Sequence, residues 1–261
     1  MFSGCKQLKD LNISNFKTSK VQNMNSMFEQ CHALTSLDLS NLETSNVVNM
    51  NYMFNGCHNL QYLDITNLDT KNVQHMEYMF ADCANLETID LSKFNTINCR
   101  TMERMFTNCS KLEYINLSNF NTRLVTNMEG MFSGCNNLLF LNLSKFDSSN
   151  VNKIGNIFLN CNSLIYLDMD EFGINRVQDK YKIFNGIYED VKISMYMYFT
   201  LLKIQNRIIS VSNYDGPGFD KKITETENYK RILNKLFTYI GSISFEIYLF
   251  HWVFISKLRN N

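Results

Sequence analysis

The chain has 261 residues, with 25 basic and 25 acidic side chains, eight cysteines, one proline and one tryptophan. That length supports one or two domains whose core needs no disulfide staples, and zero net charge argues against a nucleic-acid binder, which needs a basic face. With 45 % apolar residues the chain can bury enough surface to offset chain entropy, so it is not a disordered segment. The first twenty residues lack a basic start followed by an apolar run, so they show no secretory signal. Asparagine makes up about 14 % of the residues, an excess that composition alone does not explain.

A repeat decides the organisation. Met-Phe occurs at 1–2, 27–28, 53–54, 79–80, 105–106 and 131–132, and then as Ile157-Phe158, a constant step of 26 residues. Cys5, Cys31, Cys57, Cys83, Cys109, Cys135 and Cys161 keep the same step, as do Leu8, Leu34, Leu60, Leu86, Leu112, Leu138 and Leu164. Three columns in register over seven copies define a solenoid. Within one copy, Val47, Met50, Met53, Phe54, Cys57 and Leu60 recur every three or four residues, which predicts one face of a helix. Leu63 and Ile65 then switch to the two-residue spacing of a strand, and the polar residues around Leu68 form a turn. The expected fold is therefore an α/β solenoid, a horseshoe with a parallel concave sheet of seven strands and a helical convex side. Ile183-Phe184-Asn185-Gly186 falls in step as a degenerate eighth copy, as terminal caps do. Met1 falls mid-unit, which predicts either a fragment or an exposed end.

The pattern M-F-x-x-C-x-x-L-x-x-L-D-L-S-N-F-x-T-S-x-V-x-N-M, clearest over 27–50 and 131–154, resembles the 26-residue repeat of the BspA-like leucine-rich repeat proteins. The resemblance covers about residues 1–177. It implies a surface-exposed binding or adhesion protein, of a kind found in bacteria and some microbial eukaryotes, with a ligand that varies between members. Where the common leucine-rich repeat carries asparagine, this chain has Phe16, Leu42, Leu68, Phe94, Phe120, Phe146 and Phe172, an apolar stack in place of an asparagine ladder.

Among candidate sites, the cysteine column reads as small buried apolar residues with free thiols, because identical positions in stacked copies point the same way and do not converge as a disulfide requires. Cys31-His32 and Cys57-His58 lack zinc spacing, so no metal is expected, and no cofactor. The methionine columns read as core. No catalytic motif is present: there is no G-x-S-x-G, phosphate-cradling loop or H-E-x-x-H, so no enzyme is expected. Four glycosylation acceptor patterns begin at Asn12, Asn108, Asn116 and Asn142, and three of them sit at strand positions that the repeat itself demands. The outward strand columns hold the candidate ligand-binding residues. One column carries Tyr62, Tyr114, Phe140 and Tyr166, and the next carries Asp38, Asp64 and Asp90. Rings beside carboxylates supply contact area at low entropy cost, although stacked Asp and Asn could equally serve the sheet alone.

Past residue 198 the period is lost. Residues 199–235 read as a linker or cap, with a loop at 214–218 and a capping box from Thr224 to Glu227. Residues 236–258 form a candidate transmembrane helix, because 236–256 is a 21-residue run in which only Glu246 and His251 ionise. Residues 241–252 resemble a late membrane helix of the type-three integral-membrane acyltransferases, whose other membrane helices are absent here. Lys230, Arg231 and Lys235 before the run favour a solenoid inside the cell, as do free thiols, whereas the BspA-like resemblance implies the outside. The expected protein is thus a non-enzymatic, membrane-tethered solenoid of residues 1–198 at the cell surface. It presents its concave face to a protein or glycan. The alternatives are an accessory domain left from a membrane acyltransferase and a cytoplasmic interaction scaffold.

Overall fold

The computed structural model describes residues 1–164, 166–169, 172 and 183. The chain divides into two compact units, Met1–Ser194 and Met195–Asn261. The second unit, with the expected helix at 236–258, lies outside the described residues.

Strands form where the L-x-x-L-x-L pattern places them. They are β1 (Ser36–Asp38), β2 (Tyr62–Asp64), β3 (Thr88–Asp90), β4 (Tyr114–Asn116), β5 (Phe140–Asn142) and β6 (Tyr166–Asp168). Each points its central Leu or Ile into the core. Pairing is parallel and in repeat register, with Leu37 opposite Leu63, Ile89 opposite Ile115 and Leu141 opposite Leu167. The expected seven-stranded sheet is corrected to three two-stranded sheets, β1–β2, β3–β4 and β5–β6, and residues 10–12 of the first copy form no strand.

The larger correction concerns the opposite side. No helix forms among the described residues; the segment expected to be helical is a run of tight turns. Alternate N–H groups leave their own repeat: Met24, Ser26, Phe28 and Gln30 donate to the carbonyls of Asn49, Asn51, Met53 and Asn55 at 2.7–2.9 Å. Met27 and Cys31 close four-residue turns onto Met24 and Phe28. Two backbone positions per repeat are left-handed, as at Ser26 (φ 54°) and Gln30 (φ 58°), Tyr52 (58°) and Gly56 (74°), and Tyr78 (55°) and Asp82 (58°). A right-handed helix cannot pass through such residues. Turns four residues long bring the same apolar columns inward as a helix would, so the spacing of three and four was shared by both structures. Parallel bridges from Asn23 through Asn49, His75, Thr101 and Asn127 to Lys153 show the turns stacked into their own ladder.

The core between these two ladders is a set of columns. The rings of Phe2, Phe28, Phe54, Phe80, Phe106, Phe132 and Phe158 stack one on the next, with centroids 5.5–6.3 Å apart and planes within 12°. The second apolar stack also forms, with Leu42, Leu68, Phe94, Phe120, Phe146 and Phe172 all buried. All eight cysteines are free thiols, and all but Cys5 are buried. From Cys31 to Cys161, each thiol in the column donates to the carbonyl of the phenylalanine 29 residues earlier, at 3.1–3.3 Å. Burial is the largest cause raising all seven buried thiols, and it takes Cys57, Cys99, Cys109 and Cys161 to about 12.

Two consequences can be measured. Gly134 has φ +78°, and a Cβ there would press on Asn108 Oδ1 and lie 3.1 Å from its Cα; Gly4 has φ +77° and open space around it. Both Gly→Ala variants incur left-handed strain of about 1–2 kcal/mol, and Gly134→Ala adds roughly 1–3 kcal/mol of crowding. Urea unfolding should therefore rank Gly134→Ala clearly below Gly4→Ala, and equal losses would refute the close approach. For the thiols, a folded-state pKa raised above the ordinary 9.0 favours the neutral form. Their contribution is complete below pH 9 and is lost as pH climbs towards 12, at up to about 1.4 kcal/mol per pH unit for each thiol. Unfolding free energy should fall steeply above pH 9, and a thiol reagent at neutral pH should label Cys5 alone until denaturant exposes the rest.

Candidate functional site: the strand face

Alternation along each strand sends its first and third residues outward. The first positions build a column of Ser36, Tyr62, Thr88, Tyr114, Phe140 and Tyr166, held row against row by the register of each sheet. Its rings are open to solvent: Tyr62 is 67 % exposed, Tyr114 53 % and Phe140 49 %. Tyr166 stands opposite Phe140 by register, and its side chain lies outside the described set. Elsewhere in the described stack the large apolar side chains are buried or half-buried, and only Met1, Ile97 and Leu124 are also exposed. An exposed aromatic column on a fold with so complete a core marks a surface for contact.

The third positions, Asp38, Asp64, Asp90, Asn116 and Asn142, do structural work as well. In each, Oδ1 accepts the N–H two residues on, from Ser40, Thr66, Ser92, Ser118 and Ser144 at 2.9–3.2 Å. This closes the turn that leaves the strand, which is why only Asp or Asn fills the column. Hydrogen bonds from the Ser40 side chain and then its backbone hold Asp38 below the usual carboxylate range, and Thr66 does the same for Asp64. The sites named from sequence thus fall at the first and third positions of the strands: Asp38, Tyr62 and Asp64 on β1–β2, Asp90 and Tyr114 on β3–β4, and Phe140 on β5–β6, where Tyr166 is paired with it by backbone register.

Sequence reasoning passed over Glu87 and Glu113, exposed residues immediately before β3 and β4. Their signal was position alone, one residue ahead of an outward column. It also passed over a buried hydroxyl column, Thr18, Thr44, Thr70, Thr96, Thr122 and Ser148. Thr44, Thr70, Thr96 and Thr122 each donate to a carbonyl of the next repeat at 2.9–3.1 Å. Three asparagine roles explain the composition. Asn95, Asn121, Asn23 and Asn49 close further turns, while the amides of Asn46, Asn72, Asn98 and Asn150 donate to carbonyls 27 residues earlier at 2.7–2.8 Å. Of the acceptor patterns, Asn12, Asn116 and Asn142 are turn-closing residues, and Asn108 donates to Asp82 Oδ1 at 2.9 Å.

The turn face is occupied with itself. Tyr52 stacks on Tyr78 at 4.8 Å, Arg104 lies over Tyr78 and donates to its hydroxyl at 3.1 Å, and Asn127 donates to Glu103 at 2.7 Å. His32 and His58 stack at 4.6 Å. Among the described residues no group of three His, Cys, Asp or Glu could hold a metal ion, and no helix is long and apolar enough to cross a membrane.

Comparison with known proteins adds four findings. Residues 192–250 match the family described as Mbeg1-like, and nothing repeats the acyltransferase resemblance read over 241–252. A leucine-rich repeat protein from Bacteroides ovatus, known from its crystal structure, is similar at 21 % identity and a TM-score of 0.46 over 64 % of this chain, which spans 39 % of that chain. No curated protein matches. Residues 1–114 and 78–195, most of the chain and all of its repeats, match the family described as "Mycoplasma protein of unknown function, DUF285", and the chain belongs to that family.

Proposed function

We propose that the chain is a non-enzymatic binding module of the adhesion type, and that its strand face makes the contact with a protein or glycan ligand. The observation that carries this reading is the exposed ring column, Tyr62, Tyr114 and Phe140, on a stack that leaves few other large apolar side chains exposed. Aromatic rings on a rigid scaffold contribute contact area with little entropy to lose. A stack of this kind also fixes their spacing, since the turn ladder ties each row to its neighbours and the strands add pairing within each two-stranded sheet. The membrane tether and the cell-surface location belong to the same proposal, and they rest on the apolar run at 236–256 and on the BspA-like pattern.

Replacing Tyr62, Tyr114 and Phe140 together by Ser, which already fills the column at Ser36, should leave the melting midpoint nearly unchanged and abolish retention of ligands from host or matrix extracts. Retention equal to that of the unaltered chain would sink the proposal. Protease treatment of intact source cells should digest the repeats; full protection would place them inside and remove the adhesion reading.

A further inference from the structure

The chain is neutral overall, but the strand face is not. Residues 61–64, 87–90 and 113–116, the rows of β2, β3 and β4, carry Asp64, Glu87, Asp90 and Glu113 and no Lys or Arg. All four carboxylate residues are exposed; Asp64 follows Tyr62 by two residues, Glu113 immediately precedes Tyr114, and on the row between Glu87 immediately precedes β3 and Asp90 ends it. In Asp64 and Asp90 the turn-closing bonds run to Oδ1, so Oδ2 is left facing solvent. Bases flank these rows in sequence: Lys111 stands two residues before Glu113, and Lys93 and Lys145 lie three residues past the Asp/Asn column, with Lys145 Nζ drawn back to the Ser118 carbonyl at 3.4 Å.

We propose that this face takes a cationic polypeptide segment in an extended conformation, with Lys or Arg side chains laid over Tyr62 and Tyr114 and paired to the carboxylates around them. The inference rests on the reading of the strand face as the contact surface. Charge and ring chemistry select the ligand. A cation gains from the face of a tyrosine ring and from the carboxylates together. A neutral glycan could stack on the rings but would desolvate carboxylates with no charge to compensate them, and a nucleic acid would be repelled. Spacing agrees with a peptide. Tyr62 on β2 and Tyr114 on β4 stand two rows apart on successive two-stranded sheets, roughly 10 Å if the rows keep the usual strand separation of ~4.8 Å. An extended polyproline-type segment rises ~3.1 Å per residue with three residues per turn, so every third side chain falls on one side at about 9.3 Å intervals. Arginine or lysine at every third position therefore matches alternate rows.

The test uses the full-length chain and a synthetic peptide of about twelve residues with Arg at every third position, with binding measured at low and at roughly 0.3 M salt. A glycan array is probed in parallel. The expected result is binding that weakens at least about tenfold at the higher salt. It should be lost when Gln replaces Arg in the peptide. The pair Asp64→Asn and Asp90→Asn should weaken it about tenfold without altering the melting midpoint, because Asn already closes the turn at Asn116 and Asn142. The pair Tyr62→Ser and Tyr114→Ser should weaken it as much. Peptide binding indifferent to both pairs would overturn this inference and the strand-face reading together. Glycan binding that needs the tyrosines, with no peptide binding, would overturn only the cationic polypeptide. Failure to bind either probe would also overturn the cationic ligand, leaving the strand face to be judged by its own extract experiment.

Discussion

Register between neighbouring repeats is the constraint on which everything else in this structure depends. A unit of 26 residues with a three-residue strand and a run of turns cannot hold itself together. Its backbone donors find partners in the next unit, as Phe28, Phe54 and Phe80 show by donating to Met53, Met79 and Met105 at 2.9 Å. One inserted residue would misalign that ladder, the ring stack and the thiol-to-carbonyl bonds at once. The unbroken 26-residue step from Met1-Phe2 to Ile157-Phe158 is the mark of that shared demand.

The same demand separates the two faces. Side chains that serve the register are buried or bonded: the Phe column from Phe28 to Phe158 at full burial, the threonine hydroxyls against carbonyls of the next repeat, the asparagine amides against carbonyls 27 residues back. The outward strand positions are released from it, since the ladder uses only their backbone. That freedom shows in what occupies them. Ser36, Tyr62, Thr88, Tyr114 and Phe140 share one geometric position and little chemistry, whereas the adjoining column keeps to Asp and Asn because their Oδ1 closes a turn. Variation where the fold asks for nothing is the physical basis for placing recognition there.

The helix expected over 47–60 illustrates where pattern reading fails. Apolar residues every three or four positions satisfy a helix and equally satisfy four-residue turns that face the same core. The deciding signals were in the sequence as Gly4, Gly56, Gly130 and Gly134, which recur at the two left-handed positions. They were masked because Ser26, Tyr52, Tyr78, Asp82 and Arg104 take the same backbone conformation without being glycine. A neighbouring repeat that accepts alternate N–H groups compensates for their strain, and that compensation is a long-range property.

The sequence by itself determined the period, the solenoid, the inward columns of Phe, Met, Cys and Leu, and the outward columns that carry Tyr62, Tyr114, Phe140 and the aspartates. These follow from repetition and from alternation in a strand, both of which are local. Only the tertiary structure decided that turns replace helices and that six strands pair two by two. It also decided that asparagine is abundant because its side chain closes turns and bridges repeats. Each of those depends on which backbone groups the next repeat leaves unsatisfied, and that is settled only when one copy lies against another.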